Sequence, residues 1–188
     1  DWIKDRIHEH KDSDSTGNSV HIRHYDIDAH LEGSGLKFSA KTKIRFDRLR
    51  PHERWFHLLL FEELEIDSAF WNDGKPVIYD TKKDNAVIWV EDDSNLAPGE
   101  SREITLYYHG KLIERQRDWF YIRSSRGWYP LHGNRMLSTF DLRFRYPEYL
   151  GFASIGKRVS EKQEGKEKVT HWQTESPVRN ASFNVGFF

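Results

Sequence analysis

The stretch Tyr25-Asp26-Ile27-Asp28-Ala29-His30-Leu31-Glu32, the turn Gly33-Ser34-Gly35 and the run from Leu36 to Asp47 decide the fold. Tyr25, Ile27, Ala29 and Leu31 alternate with polar Asp26, Asp28, His30 and Glu32, the period of two of a half-buried strand. Beyond the glycine turn, Leu36, Phe38, Ala40, Thr42, Ile44 and Phe46 alternate with Lys37, Ser39, Lys41, Lys43, Arg45 and Asp47. Two such runs joined by a short glycine-rich turn predict a β-hairpin with one buried face.

The same style continues outward. Trp55-Phe56-His57 and Leu58-Leu59-Leu60-Phe61 are apolar on both faces, which predicts a central strand buried between layers. Leu64, Ile66, Ser68 and Phe70 alternate up to the turn Asn72-Asp73-Gly74. Val77 to Tyr79, Ala86 to Val90 and Ile104 to Tyr108 are further short extended segments. In the second half Phe140, Leu142, Phe144 and Tyr146 alternate before Pro147. Val159 and Val169 flank a charged tip at Glu164-Gly165-Lys166, and Ala181, Phe183, Val185 and Phe187 alternate through the last run. After residue 20 almost nothing has helical period, so an all-β, antiparallel multi-sheet sandwich built of hairpins and meanders is expected over 20–188. Residues 1–19 are polar, with Trp2, Ile3 and Ile7 at no regular spacing, and read as a linker or short frayed helical arm. The start at Asp1, the single Met136 and the strand-like end at Phe188 suggest a piece of a longer protein.

Composition narrows the function. The 188 residues carry 29 Lys+Arg against 30 Asp+Glu, a net charge of −1, which argues against nucleic acid as a partner. No run approaches the ~18 apolar residues of a spanning helix, so no membrane segment is expected. The absence of Cys excludes disulfides, thiolate catalysis and Cys-ligated zinc, and leaves the compartment open. At this length a domain buries roughly 70% of its unfolded surface, enough to fold without metal or disulfide staples.

Motifs for chemistry are scarce. His8-Glu9-His10-Lys11-Asp12 begins like the zinc signature H-E-x-x-H, but Asp12 stands at the second ligand position. His21 and His24, three apart in a period-two element, are expected on opposite faces. His57 reads as a hydrogen-bonded core histidine, and His30, His52, His109, His132 and His171 are scattered singly. The pairs Glu62-Glu63 and Asp92-Asp93 sit beside strand ends, where solvated charge is ordinary. Neither a phosphate-binding G-x-x-x-x-G-K-[ST] nor a dinucleotide G-x-G-x-x-G occurs. Of the seven Trp, most, including Trp55, Trp89 and Trp172, are expected in the core, and the Lys37, Lys41, Lys43, Arg45 stripe reads as the solvated side of a strand. Asn180-Ala181-Ser182 has the N-glycosylation pattern, relevant only in a secretory pathway. No catalytic, cofactor-binding or metal-ligating residue is assigned within 1–188.

The order of segments resembles the N-terminal β domain of the zinc aminopeptidases related to aminopeptidase N, a saddle-like all-β domain. The resemblance covers roughly 20–188. It rests on the Tyr25 to Ala29 strand and its hairpin, Leu58-Leu59-Leu60 followed by Leu64-Glu65-Ile66, and Tyr108-His109-Gly110. It continues through Trp119-Phe120-Tyr121, Arg123-Ser124, Trp128-Tyr129-Pro130, Thr139 to Leu142, Ala153 to Gly156, Thr170-His171-Trp172 and Pro177 to Asn180. In that family H-E-x-x-H with a later Glu, and G-x-M-E-N, lie beyond this domain. The resemblance therefore implies zinc and catalysis in a following domain of the same polypeptide, with this chain packed on it beside the peptide substrate. Members usually carry a loop after Tyr-x-Arg-Ser whose Gln contacts the substrate amino group. Here only Ser125-Arg126-Gly127 precedes Trp128, and His132-Gly133-Asn134 replaces the usual Asp-Glu-Pro turn, so that contact is not carried over. The alternative expectation is a stand-alone β-sandwich module that holds carbohydrate or peptide on exposed aromatics.

Overall fold

The computed structural model describes residues 19–51, 53–81, 86–133 and 136–187. All regular structure among them is strand: β1 (Val20–Glu32), β2 (Lys37–Arg48), β3 (Trp55–Leu59), β4 (Leu64–Trp71), β5 (Ile78–Thr81), β6 (Val87–Glu91), β7 (Ser101–Gly110), β8 (Ile113–Gln116), β9 (Trp119–Ile122), β10 (Thr139–Pro147), β11 (Gly151–Ser154), β12 (Lys157–Glu164), β13 (Glu167–Gln173) and β14 (Phe183–Gly186). Of the predicted arm over 1–19, only Ser19 falls among the described residues. No helix among them is long and apolar enough to cross a membrane.

Seven strands form one large sheet in the order β12-β13-β10-β1-β2-β7-β4, accompanied by a three-stranded sheet β3-β6-β5 and the pairs β8-β9 and β11-β14. The predicted β1-β2 hairpin is its centre, with Glu32 opposite Lys37 and Val20 opposite Arg48. One pair departs from the antiparallel expectation: β1 and β10 run parallel, Tyr25 beside Phe140 and Ala29 beside Phe144. Parallel neighbours need a long connection, and here the whole span from β2 to β9 lies between the two strands, so no local turn pattern could announce the pairing.

A bulge between Ile22 and His24 leaves Arg23 as the extra residue of β1. It corrects the placement of His21 and His24. The added residue shifts the alternation by one, so His21 opposite Asp47 and His24 opposite Arg45 share the outer face, while Ile22 and Tyr25 point inward.

The Leu58-Leu59-Leu60 run is likewise corrected: β3 lies at one end of its three-stranded sheet instead of centrally. It is apolar on both faces because both are covered, with Phe56 and Leu58 buried on one side and Trp55 buried and His57 and Leu59 half-buried on the other. Leu59 and Leu131 exchange backbone hydrogen bonds of 2.7 and 2.9 Å, and His132 Nδ1 donates to the His57 carbonyl at 2.6 Å. Burial, not a central place in the sheet, explains the pattern.

The inner faces meet in an aromatic core. Trp128, fully buried, contacts Tyr129, Phe38, Phe144 and Phe183 at ring-centroid distances of 5.1 to 6.3 Å. Trp128 Nε1 donates to the Ala181 carbonyl at 3.0 Å, and the Ala181 N–H donates to the Tyr129 hydroxyl at 3.2 Å. This Trp-Tyr pair thus ties the approach to β14 to the centre of the domain.

Candidate functional site

The solvent-facing side of the large sheet collects most of the residues that the sequence singled out. Its register puts His21, His24 and His30 of β1, His109 of β7 and His171 of β13 on one face. Four of them have a discrete partner: His24 Nδ1 with Thr139 Oγ1 at 2.8 Å, His30 Nε2 with Glu167 at 2.7 Å, His109 Nδ1 with Asp67 at 2.8 Å and His171 Nε2 with Asp141 at 2.6 Å. Burial is the largest influence on His24 and pulls its pKa below the ordinary value, against the pull of Asp141 and Asp26. Among the described residues no group of three or more His, Asp or Glu lies close enough to hold a metal ion. His8, His10, Asp12 and His52 fall outside the described residues.

The basic stripe is answered by an acidic one. Lys43, Lys41 and Lys37 stand opposite Asp26, Asp28 and Glu32 across the β1-β2 hairpin, and the Arg45 guanidinium donates twice to Glu103, at 2.9 and 2.7 Å. Opposed charges cancel the field a polyanion would need.

The carboxylate pairs divide. Glu63 pairs with Arg123 beside Phe61. Asp92 is not a solvated strand end: it is 1% exposed, held by Arg48, Arg102 and Ser94, with Ser94 Oγ at 2.6 Å. Burial pushes the Asp92 carboxyl up, yet the Ser94 hydrogen bonds and the Arg48 charge outweigh it and hold it below the ordinary range. The guanidinium of Arg102 also lies over the Trp71 ring, 3.6 Å from its centroid. An open cleft of about 640 Å³ adjoins this network, lined in part by Arg54, Ser94, Leu96 and Pro98. Asp92 is held from three sides while the buried Nε of Arg48 has no hydrogen-bond partner, and the geometry is that of a structural clamp between β2, β7 and the end of β6.

His57 is half-buried between the rings of Trp89, 5.4 Å away, and His132, 5.0 Å away. Among the six described tryptophans, Trp55, Trp71 and Trp128 are buried and Trp89 and Trp172 half-buried. Trp119 is 56% exposed and makes an edge contact with exposed Tyr121 at 6.2 Å on the β8-β9 hairpin. Nothing in the sequence pattern marks β8 as a strand. Ile113 is the one buried residue of the four, so alternation had nothing to show.

The segment Ser124 to Trp128 closes directly. The Gly127 N–H donates to Ser124 Oγ at 3.0 Å and the Gly127 carbonyl accepts from Phe61 N at 2.8 Å, which delivers Trp128 into the core without an intervening loop. Beyond it, His132 is buried, Gly133 has φ of 69°, and Asn134 falls outside the described residues.

No family model matches this chain, and no curated protein matches it in sequence. Solved structures do match. An M1 zinc metallopeptidase from Deinococcus radiodurans superposes with a TM-score of 0.75 at 19% identity, over 90% of this chain and 43% of that one. A two-domain M1 zinc metallopeptidase variant bound to L-arginine gives a TM-score of 0.75 at 20% identity, over 89% and 42%, and one from D. radiodurans bound to a Tyr-Ser-Ala substrate gives 0.74 at 19%. The chain has the fold of one part of these metallopeptidases and spans about 43% of the length of the first of them. The all-β, multi-sheet architecture implied by the segment order is therefore the one observed.

Proposed function

We propose that this chain is the noncatalytic N-terminal β domain of a zinc-dependent, aminopeptidase-like metallopeptidase, with 20–188 as the domain and 1–19 as an arm. It would pack on the catalytic domain of the same polypeptide and form one wall of the peptide cleft. The observation that carries the reading is the superposition of nine-tenths of the chain on less than half of an M1 zinc metallopeptidase, in the segment order that the sequence already resembled. Clefts form where domains meet, and rigid scaffolds supply their walls. Four of the five outer-face histidines, His24, His30, His109 and His171, are engaged in local pairs, and the reading asks of them no role in hydrolysis. In the parent, zinc supplied by the catalytic domain would polarise the scissile carbonyl and activate water. This domain's part is shape and orientation. The short turn at Ser125-Arg126-Gly127 leaves no room for the family's amino-group-binding loop, so the parent is expected to grip peptide N-termini less strictly.

The test is the coding sequence past Phe188. H-E-x-x-H with a later Glu supports the reading, and a stop codon, or an open frame without that motif, overturns it. The 188-residue chain alone should not hydrolyse peptides.

The second reading, a stand-alone module for carbohydrate or peptide, is favoured by one observation, the exposed Trp119 and Tyr121 pair. It predicts that a glycan or peptide ligand suppresses acrylamide quenching of Trp119, and an unchanged quenching curve in Trp119→Phe removes it.

A further inference from the structure

The inward-facing row of β14 runs off the end of the core. Phe183, Val185 and Phe187 occupy alternate positions. The first two are 4% and 8% exposed, packed on β11 and the aromatic core, whereas Phe187 is 50% exposed. An apolar side chain at an inward position normally meets a cover. Phe187 has only flanks: Phe120 of β9 with ring centroids 5.6 Å apart, and Tyr149, itself 53% exposed, near-parallel at 6.2 Å in the turn between β10 and β11. Three chain segments thus contribute rings to one strip that continues the core to the surface.

We infer that the Phe120, Tyr149 and Phe187 strip is the seat of the catalytic domain, covered by an aliphatic or aromatic surface of the polypeptide that follows Phe188. This inference rests on the proposed function and adds to it which face is covered. Two observations choose this occupant. Phe187 is the last described residue, so a domain that followed in the same polypeptide would be tethered beside the strip at a very high effective concentration. The matched metallopeptidases also have more than half of their chain outside the matched part. Other exposed apolar side chains, such as Ile78 and Val159, do not extend a buried row of this kind.

The chain has no Cys, so single thiols report on the surface without background. Y149C and, as a second reporter, F187C would be compared with V159C on the edge strand β12, in the 188-residue chain and in the parent polypeptide. Labelling by a maleimide would be read peptide by peptide by mass spectrometry. The expected result is equal labelling at all three sites in the short chain, and at least about tenfold slower labelling at positions 149 and 187 in the parent with 159 unchanged. A parent that carries H-E-x-x-H but labels at 149 and 187 as fast as at 159 overturns this inference and leaves the proposed function standing. A downstream frame without the motif overturns the proposed function at the sequencing step, before any labelling. Protection in the short chain that fades on dilution assigns the strip to a second copy of the chain and overturns the inference as well.

Discussion

The indole Nε1 of Trp128 donates to the carbonyl of Ala181 across 3.0 Å of fully buried space. The bond joins a residue just after the Ser125-Arg126-Gly127 turn to the segment leading into β14, so the same side chain fills the core and sets the course of the chain into its last strand. Replacing Trp128 by Ala is expected to cost about 3–5 kcal/mol, the range for deleting a large buried aromatic. Trp128→Phe should cost less, but it leaves the Ala181 carbonyl unpaired, adding about 1–3 kcal/mol. Urea unfolding midpoints at constant m-value check both.

Asp92 with Arg48 and Arg102 forms a buried network, and removing one partner leaves charge without compensation. Asp92→Asn should destabilise the domain by about 3–5 kcal/mol. The pH dependence follows from the lowered Asp92 pKa. A carboxylate whose folded pKa lies below its unfolded value stabilises the fold above that unfolded value, 3.8, and the contribution is lost as pH falls through the folded pKa. Stability measured from pH 5 downward should fall in the wild type and fall less steeply in Asp92→Asn, where the lowered carboxyls of Asp47, Asp141 and Glu167 still contribute.

Four buried phenols, Tyr25, Tyr108, Tyr129 and Tyr146, predict the alkaline limit, and burial first, then the Glu161 charge, raises that of Tyr146. Burial first, then the neighbouring phenol of Tyr129, raises Tyr25, and burial likewise raises Tyr108 against the Thr42 hydrogen bond. Tyr129 is pushed up to about 12, by burial against the Ala181 hydrogen bond. For a group with a raised folded pKa, the stabilisation is complete below the unfolded value of 10.0 and is lost as pH rises toward the folded one. Unfolding free energy should therefore drop above about pH 10. Ionisation of these rings, followed at 295 nm, should coincide with loss of near-UV circular dichroism.

Gly156 joins β11 to β12 with φ of 82°, and a Cβ there would collide with the Gln173 carbonyl oxygen. Gly156→Ala combines a strained backbone with a steric clash against backbone atoms, and about 2–4 kcal/mol of destabilisation is expected. Gly165, also at positive φ but with open space at its Cβ, should lose only about 1 kcal/mol on the same change. Thermal unfolding of the two variants side by side separates clash from strain.

Much of this domain was legible before any coordinates. The alternation from Tyr25 to Phe46, the glycine turn at 33–35 and the charged tip at 164–166 correspond to β1, β2 and the β12-β13 hairpin, because side-chain period and turn chemistry are local properties of the chain. The resemblance carried by the segment order likewise anticipated the fold that the metallopeptidase structures share. Other features depended on contacts between distant residues. The parallel pairing of β1 with β10 joins residues more than 100 positions apart. The bulge at Arg23 moved His24 to the face of His21, since one inserted residue inverts every later side chain on its strand. Asp92 read as a solvated strand end because nothing in Asp92-Asp93 reveals that Arg48 and Arg102 converge on the first carboxylate, while the second stays exposed with Arg102 at 3.7 Å. By itself the sequence determined most of the strands and the buried face of the β1-β2 hairpin from Tyr25 onward, which follow from where each side chain must point. The tertiary structure alone decided strand partners, charge burial and the uncovered ring of Phe187, because these depend on which distant segments come to lie side by side.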